Sequence, residues 1–200
     1  MGARPQRLDR LPQQYFVQLL GRVAEAAAES GPPLVDLGRG NPDVGPPPHV
    51  VEALREAALS PVVHGYAAIR GMRRLREAVA DRYRREYGAE LDPETEVAIV
   101  PGTKTALAEL PLSLAEEGDT ILLPDPYYPD YPSGLALAGA TLATVPLDAG
   151  RAWAPALDDA PAAAALYLNY PSNPCAVCAP PGAFEAAIAW ARGTGAKGEL

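Results

Sequence analysis

Three short segments carry the side chains best suited to chemistry, and each stands where a predicted strand runs into a loop. The first is Pro-Gly-Thr-Lys at 101–104, which follows an apolar run and opens a predicted helix. Backbone N–H groups, the helix dipole, a hydroxyl and an ammonium meet there, so Thr103 and Lys104 could hold a phosphate. The spacing differs from a Walker loop, which has Gly-Lys-Ser/Thr in succession after an earlier glycine. A threonine cap beside an exposed lysine is the alternative interpretation.

The other two segments supply an aromatic ring and an amide. In the run Asp-Pro-Tyr-Tyr-Pro-Asp-Tyr at 125–131, prolines on both sides hold Tyr128 in a rigid loop where its ring could stack on a flat ligand. For Tyr127 and Tyr131 we favour a simpler role, which is to cover the edge of the core. Asn173 follows another predicted strand and could bond a ring hydroxyl, although an Asn before Pro is commonly only a turn residue.

These loops depend on the elements that position them. Apolar residues at helical spacing predict helices over 11–30, 49–59, 72–88, 105–117, 133–140 and 180–192, with Gly88 as the C-terminal stop of the third. Short apolar runs predict strands at 34–38, 97–100, 121–124, 141–147 and 164–170. From residue 96 strands and helices alternate, which predicts βαβ units and a mainly parallel, three-layer α/β/α fold. Ligands bind beyond the carboxyl ends of such strands, so the three loops are expected at one rim.

Composition excludes several classes of function. The 200 residues carry a formal net charge of −8, which argues against nucleic acid or an anionic membrane as partner. No apolar run is long enough to span a bilayer, and the first residues lack a signal-peptide pattern, so we expect a cytoplasmic protein. Cys175 and Cys178 form a Cys-x-x-Cys pair, but zinc would need two more ligands, and His49 and His64 are far away in sequence. We therefore expect no metal site.

Taken together, the motifs resemble the N-terminal half of a class I/II aminotransferase, a pyridoxal-phosphate enzyme of fold type I. The segments that carry the resemblance are Val-Asp-Leu-Gly-Arg-Gly-Asn-Pro-Asp at 35–43, His-Gly-Tyr-Ala-Ala-Ile-Arg-Gly at 64–71, and the three loops above. The nearest subgroup includes LL-diaminopimelate aminotransferase and related alanine or aspartate aminotransferases. The resemblance implies an N-terminal arm and part of a small domain over 1–45, and an incomplete pyridoxal-phosphate-binding large domain over 46–200.

The resemblance also assigns roles to residues. Thr103 and Lys104 match the pair that meets the cofactor phosphate, and Tyr128 matches the aromatic residue that stacks on the pyridine ring. Asn173 matches the asparagine that bonds the 3′ oxygen of the ring. Tyr66 matches the tyrosine that reaches the phosphate of the neighbouring subunit, which implies a homodimer.

Gly40 and Tyr15 match substrate-side positions, and the implied reaction moves an amino group between an amino acid and a 2-oxo acid. The lysine that would hold the cofactor is the main departure from the family pattern. Arginine outnumbers lysine fifteen to two, and the only lysines are Lys104 and Lys197. Lys104 falls in the phosphate loop, and Lys197 lacks the Ser-x-x-Lys-like context of the family lysine. We therefore expect no catalytic residue here and a truncated, inactive form.

A second departure lies after Asn173, where Ala176 replaces the glycine of the family's Asn-Pro-Thr-Gly and should make the backbone turn harder. Two alternatives to an aminotransferase stay open. One is a non-catalytic remnant or binding partner, and the other is a fold type I lyase or decarboxylase with the same cofactor residues.

Overall fold

The computed structural model describes residues 5–29, 31–38, 40 and 42–195. The chain divides into two compact units, Met1–Ala28 with Gly102–Leu200, and Glu29–Pro101. We call them the sheet unit and the helical unit. The sequence-based boundary after residue 45 stays a prediction. Among the described residues, none of the helices combines the length and apolar character that crossing a membrane requires.

Six helices and three strands make up the regular structure of the described residues, together with short 3-10 turns. The helices are α1 Tyr15–Ala28, α2 Pro48–Leu59, α3 Arg73–Tyr87, α4 Thr103–Leu114, α5 Tyr131–Ala138 and α6 Ala183–Thr194. The strands are β1 Thr120–Asp125, β2 Thr141–Pro146 and β3 Ala165–Leu166. All six predicted helices are present, with their ends shifted by a few residues.

The sheet unit is built on β1, which lies between β2 and β3 and is parallel to both. Thr120 of β1 stands opposite Thr141 of β2, and Ile121 stands opposite Ala165 of β3. β1 and β2 are joined through α5, which gives a predicted βαβ unit. The expected parallel α/β fold is confirmed.

Side chains of β1 alternate between two apolar clusters, one on each face of the sheet. Ile121 and Leu123 pack with Leu114 and Leu135, on the side of α4 and α5. Leu122 points the other way and packs with the side of α6. Because β1 is buried on both faces, it reads as a continuous apolar run, and the sheet has a helical layer on each side.

Three strand predictions need correction. Residues 34–38 and 97–100 form no strand, since no other described segment pairs with their backbone. The run 164–170 contributes only the two residues of β3, whose pairing stops after Leu166. An apolar run signals a strand, but a ladder also needs a neighbour with matching backbone groups.

In the helical unit, α3 ends at Gly88, which adopts the left-handed conformation with a φ of 65° and confirms the predicted stop. Arg76 is the residue of α3 that is buried. Its guanidinium donates to the carbonyl of Pro93 and lies 3.2 Å from the carboxylate of Glu94. This side chain fastens the helix to the loop that follows it.

Candidate functional site

The phosphate-binding candidate lies at the beginning of α4. Gly102 occupies the N-cap with a φ of 95° and a ψ of 151°, a conformation that side chains disfavour. A Cβ built on Gly102 would meet no atom within 4 Å, so the space beside this backbone is open. Thr103 and Lys104 follow in the first turn, where backbone N–H groups have no acceptor within the helix. This end of the helix can accept an anion.

Lys104, Tyr128 and Asp130 form one polar cluster beside this helix end. The ammonium of Lys104 lies 2.5 Å from Oδ2 of Asp130. The hydroxyl of Tyr128 donates to the same oxygen over 3.1 Å. The structure thus brings together two of the predicted cofactor residues, which stand 24 positions apart in the sequence, through an aspartate that the sequence motifs left without a role.

The cluster changes the acidity of its members. A hydrogen bond from Lys104 to Asp130 is the main cause that raises the pKa of the ammonium. Burial, followed by the hydrogen bond to Asp130, raises the pKa of the Tyr128 phenol. Both groups are therefore protonated near neutral pH, Lys104 as a cation and Tyr128 as a neutral hydrogen-bond donor.

The N-terminal arm also reaches this cluster. The Lys104 ammonium lies 5.5 Å from the ring centroid of Phe16, within the range of a cation–π contact. Gln14 donates to the hydroxyl of Ser133 over 3.5 Å. Both residues line a cavity of about 160 Å³, together with Lys104 and Asp130. Tyr15 packs edge-on against Phe16, at 5.3 Å between centroids, and is half exposed. Sequence reasoning selected Tyr15 and missed Phe16.

Asn173 follows β3 in a tight turn. Its backbone N–H donates to the side-chain oxygen of Asn169 over 3.0 Å, and Ser172 and Val177 are joined by a 2.7 Å backbone bond. Ala176 has a φ of 56°, so the residue in place of the family glycine takes the left-handed backbone that a glycine would favour. The turn forms with alanine at this position, and its expected difficulty stays a prediction.

The loops that carry Tyr128 and Asn173 follow β1 and β3, which are parallel neighbours. Both loops therefore leave the same edge of the sheet, the edge at which ligands bind in such folds. Tyr127 and Tyr131 pack against the apolar cluster of Leu114 and Ile121 and so have the core-covering role predicted for them.

Two predicted residues belong to the helical unit. Tyr66 is fully exposed, and a Cβ on Gly40 would meet no atom within 4 Å. Their assignment to a cofactor or substrate stays a prediction. Lys197 lies outside the described residues. Cys175 is half-buried and Cys178 is exposed, both as free thiols.

Comparison with known proteins decides the family. Residues 32–196 match the sequence profile of "Aminotransferase class I and II". The chain belongs to this family. Its members depend on pyridoxal phosphate, and the expected fold type I architecture is shared by the solved structures that resemble this chain.

Several relatives are similar along nearly the whole chain. L-glutamine–4-(methylsulfanyl)-2-oxobutanoate aminotransferase of Bacillus subtilis is 45% identical over 193 residues, which are 94% of this chain and 48% of that protein. LL-diaminopimelate aminotransferase of Desulforudis audaxviator is 38% identical over 93% of this chain and 48% of its own length. The substrate-bound structure of BacF from Bacillus subtilis superposes with a TM-score of 0.87 at 39% identity, over 98% of this chain and 51% of that one.

The chain spans about half the length of the curated relatives it matches. What it holds of an aminotransferase site fits the cofactor in two respects. An open helix end with a glycine N-cap can receive the phosphate, and an aromatic ring is fixed beside it.

Proposed function

We propose that these 200 residues form the cofactor-binding half of an aminotransferase that moves an amino group between an amino acid and a 2-oxo acid. The observation that carries the proposal is the contact of the Tyr128 loop with the α4 N-terminus through Asp130. This contact brings the helix end that would bind the phosphate and the Tyr128 ring that would stack on the cofactor into one site. When bound, pyridoxal phosphate withdraws electrons from the amino-acid α-carbon and makes its proton acidic.

Each residue has a distinct part in this proposal. The first-turn N–H groups of α4 and the hydroxyl of Thr103 bind the phosphate, and Lys104 offsets the negative charge of Asp130 beside it. Tyr128 supports one face of the ring and fixes its plane. Asn173, leaving the same sheet edge, donates its amide to the ring oxygen.

We further propose that Lys104 is not the catalytic lysine. A lysine that attacks a carbonyl must lose its proton, and enzymes achieve this by lowering the pKa of the amine. Lys104 has the opposite environment, because Asp130 raises the pKa of its ammonium. The proton-transferring lysine is then absent from the described residues, and transamination by this chain alone should fail.

The proposal also covers the other residues and domain bounds that the resemblance implies. Tyr66, fully exposed here, would meet the phosphate of a second copy, so that a homodimer completes each site. Gly40 and Tyr15 would lie on the substrate side. Residues 1–45 would form the arm and part of a small domain, and 46–200 the incomplete large domain. Free thiols at Cys175 and Cys178 are compatible with the reducing cytoplasm.

Cofactor binding tests the proposal directly. Pyridoxal phosphate and pyridoxal, which lacks the phosphate, are titrated into the purified chain by calorimetry. We expect the phosphorylated form to bind at least about tenfold more tightly, which corresponds to about 1.4 kcal/mol from the helix end. Tyr128→Ala should weaken the binding of both ligands, because both carry the ring.

Tyr87→Ala is the matched control, since Tyr87 is exposed on α3 in the helical unit. It should leave both affinities unchanged. Equal affinities for the two ligands, or equal losses in the two tyrosine variants, would contradict the proposed site.

Borohydride trapping tests the role of Lys104. Reduction after incubation with pyridoxal phosphate should label neither lysine stoichiometrically, as read by peptide mass spectrometry. Full labelling of Lys104 would show that this lysine holds the cofactor and would overturn its assignment to the phosphate.

A further inference from the structure

We propose that Asp130 is the positioning residue of this site, holding Lys104 and Tyr128 in place with a single carboxylate oxygen. The inference builds on the proposed binding of pyridoxal phosphate and names a residue with no part in the sequence motifs. Oδ2 of Asp130 accepts the hydroxyl of Tyr128 over 3.1 Å and lies 2.5 Å from the ammonium of Lys104.

The position of Asp130 in the fold leaves its carboxylate available for this task. Asp130 is the N-cap of α5, where an aspartate commonly accepts a backbone N–H of the first turn. Here the side chain makes no such cap with the described residues. Pro132, the second residue of the helix, has no N–H to offer. The carboxylate turns instead to Lys104 and Tyr128.

The difference in burial shows which side chain of the Asp130–Lys104 pair is fixed. The side chain of Asp130 is 12% exposed, whereas that of Lys104 is 65% exposed. The carboxylate is therefore the fixed member of the pair, and the long lysine side chain is the one that is drawn to it. Phe16 lies over the same ammonium at 5.5 Å and limits where else it can go.

Two consequences for ligand binding follow. The phenol of Tyr128 can turn about its side-chain bonds, and the bond to Asp130 selects one orientation of the ring that is to stack on the cofactor. The negative charge of Asp130 would repel a phosphate at the nearby helix end, and Lys104 neutralises that charge. Asp130 thus sets ring orientation and local charge together.

The first test needs no cofactor. In the purified chain, the titration of Lys104 and of Tyr128 is followed by NMR of the labelled side chains, with Asp130→Asn as the variant. Loss of the negative charge should lower the pKa of Lys104 and the pKa of Tyr128. Asp159→Asn, at an exposed position of the same unit, is the control and should move neither. Unchanged titrations in Asp130→Asn would overturn the inference.

The second test uses the cofactor. Asp130→Ala should alter the circular dichroism of the bound cofactor in its own absorption band, because the ring of Tyr128 loses the orientation that the bond to Asp130 selects. Tyr128→Phe, which keeps the ring and removes the hydroxyl, should change that dichroism in the same way. The double variant should change the dichroism no more than Asp130→Ala does, because both substitutions remove the same hydrogen bond.

Asp130→Asn keeps an acceptor for the Tyr128 hydroxyl and should restore the dichroism that Asp130→Ala loses. Additive losses in the double variant, or dichroism that Asp130→Asn fails to restore, would overturn the positioning role. If the unaltered chain binds no pyridoxal phosphate, the proposed function fails, and the titrations of the first test alone decide whether Asp130 holds both side chains.

Discussion

The ring of Tyr131 stands edge-on against the ring of Tyr167, with 5.5 Å between centroids and an interplanar angle of 86°. This contact joins the first residue of α5 to the residue that follows β3. The hydroxyl of Tyr167 is buried and has no hydrogen-bond partner among the described residues. The Tyr128 loop therefore rests on a layer of aromatic rings that includes an unsatisfied polar atom.

Removing that hydroxyl should not destabilise the sheet unit. We expect Tyr167→Phe to leave the free energy of unfolding unchanged or to raise it by up to about 1 kcal/mol, since a buried hydroxyl without a partner is costly. Tyr170→Phe is the matched control, because Tyr170 donates to the carbonyl of Trp153 over 2.7 Å. Tyr170→Phe should lower the free energy of unfolding by about 0.5 to 1.5 kcal/mol, measured by denaturant unfolding. A larger loss in Tyr167→Phe than in Tyr170→Phe would refute this account.

The same phenol should make stability depend on alkaline pH. Burial raises the pKa of Tyr167 from 10.0 to about 12. The folded chain then keeps a proton that the unfolded chain releases, so this contribution is complete below about pH 10 and is lost as pH rises towards 12, by at most roughly 2 to 3 kcal/mol. The unfolding free energy of Tyr167→Phe should fall less steeply across that window. Parallel pH profiles for the two proteins would contradict the raised pKa.

Close approach of α4 and α5 gives a third prediction. A Cβ on Gly134 would come within 2.3 Å of the carbonyl oxygen of Leu107. We expect Gly134→Ala to force the helices apart and to cost about 1 to 3 kcal/mol of unfolding free energy. Gly193→Ala is the control, because a Cβ added to Gly193 of α6 would meet no atom within 4 Å. This change should leave the unfolding free energy unchanged or raise it by at most about 1 kcal/mol. Similar effects of the two changes would show that the helices do not pack this closely.

The helical unit depends on Arg76. Arg76→Ala leaves the carbonyl of Pro93 without its donor and opens space under α3, so we expect a loss of about 2 to 4 kcal/mol. Arg84→Ala removes an exposed ion pair with Asp81 and should change the unfolding free energy by less than about 0.5 kcal/mol. Urea unfolding followed by far-ultraviolet circular dichroism compares the two. Equal losses would contradict the fastening role of Arg76.

Local sequence patterns predicted an element well where a single stretch of chain is sufficient to determine it. The spacing of apolar residues and the Gly88 stop located α3, and the apolar run of β1 reflects burial on two faces. The same signal failed at 34–38 and 97–100, where strand pairing depends on a neighbour that the local sequence does not specify.

The site shows the same division. Motifs selected Lys104 and Tyr128, because residue type and position relative to a strand end are visible in the sequence. They missed Asp130 and Phe16, whose importance comes from contacts with Lys104 across 26 and 88 residues of chain. Asp130 in particular gains a role only when its partners are known.

The last prediction separates backbone strain from ligand binding at the start of α4. Gly102 and Gly182 are both N-cap glycines with positive φ, 95° and 82°, and both have open space where a Cβ would be. Alanine at either position should cost about 1 to 3 kcal/mol of unfolding free energy. Only Gly102→Ala should weaken the binding of pyridoxal phosphate, by about tenfold or more, because the added methyl group fills the space in which we propose that the phosphate binds. The binding of pyridoxal should not change. Calorimetric titration of both ligands into both variants measures this, and equal losses of pyridoxal phosphate affinity in the two variants would place the phosphate elsewhere.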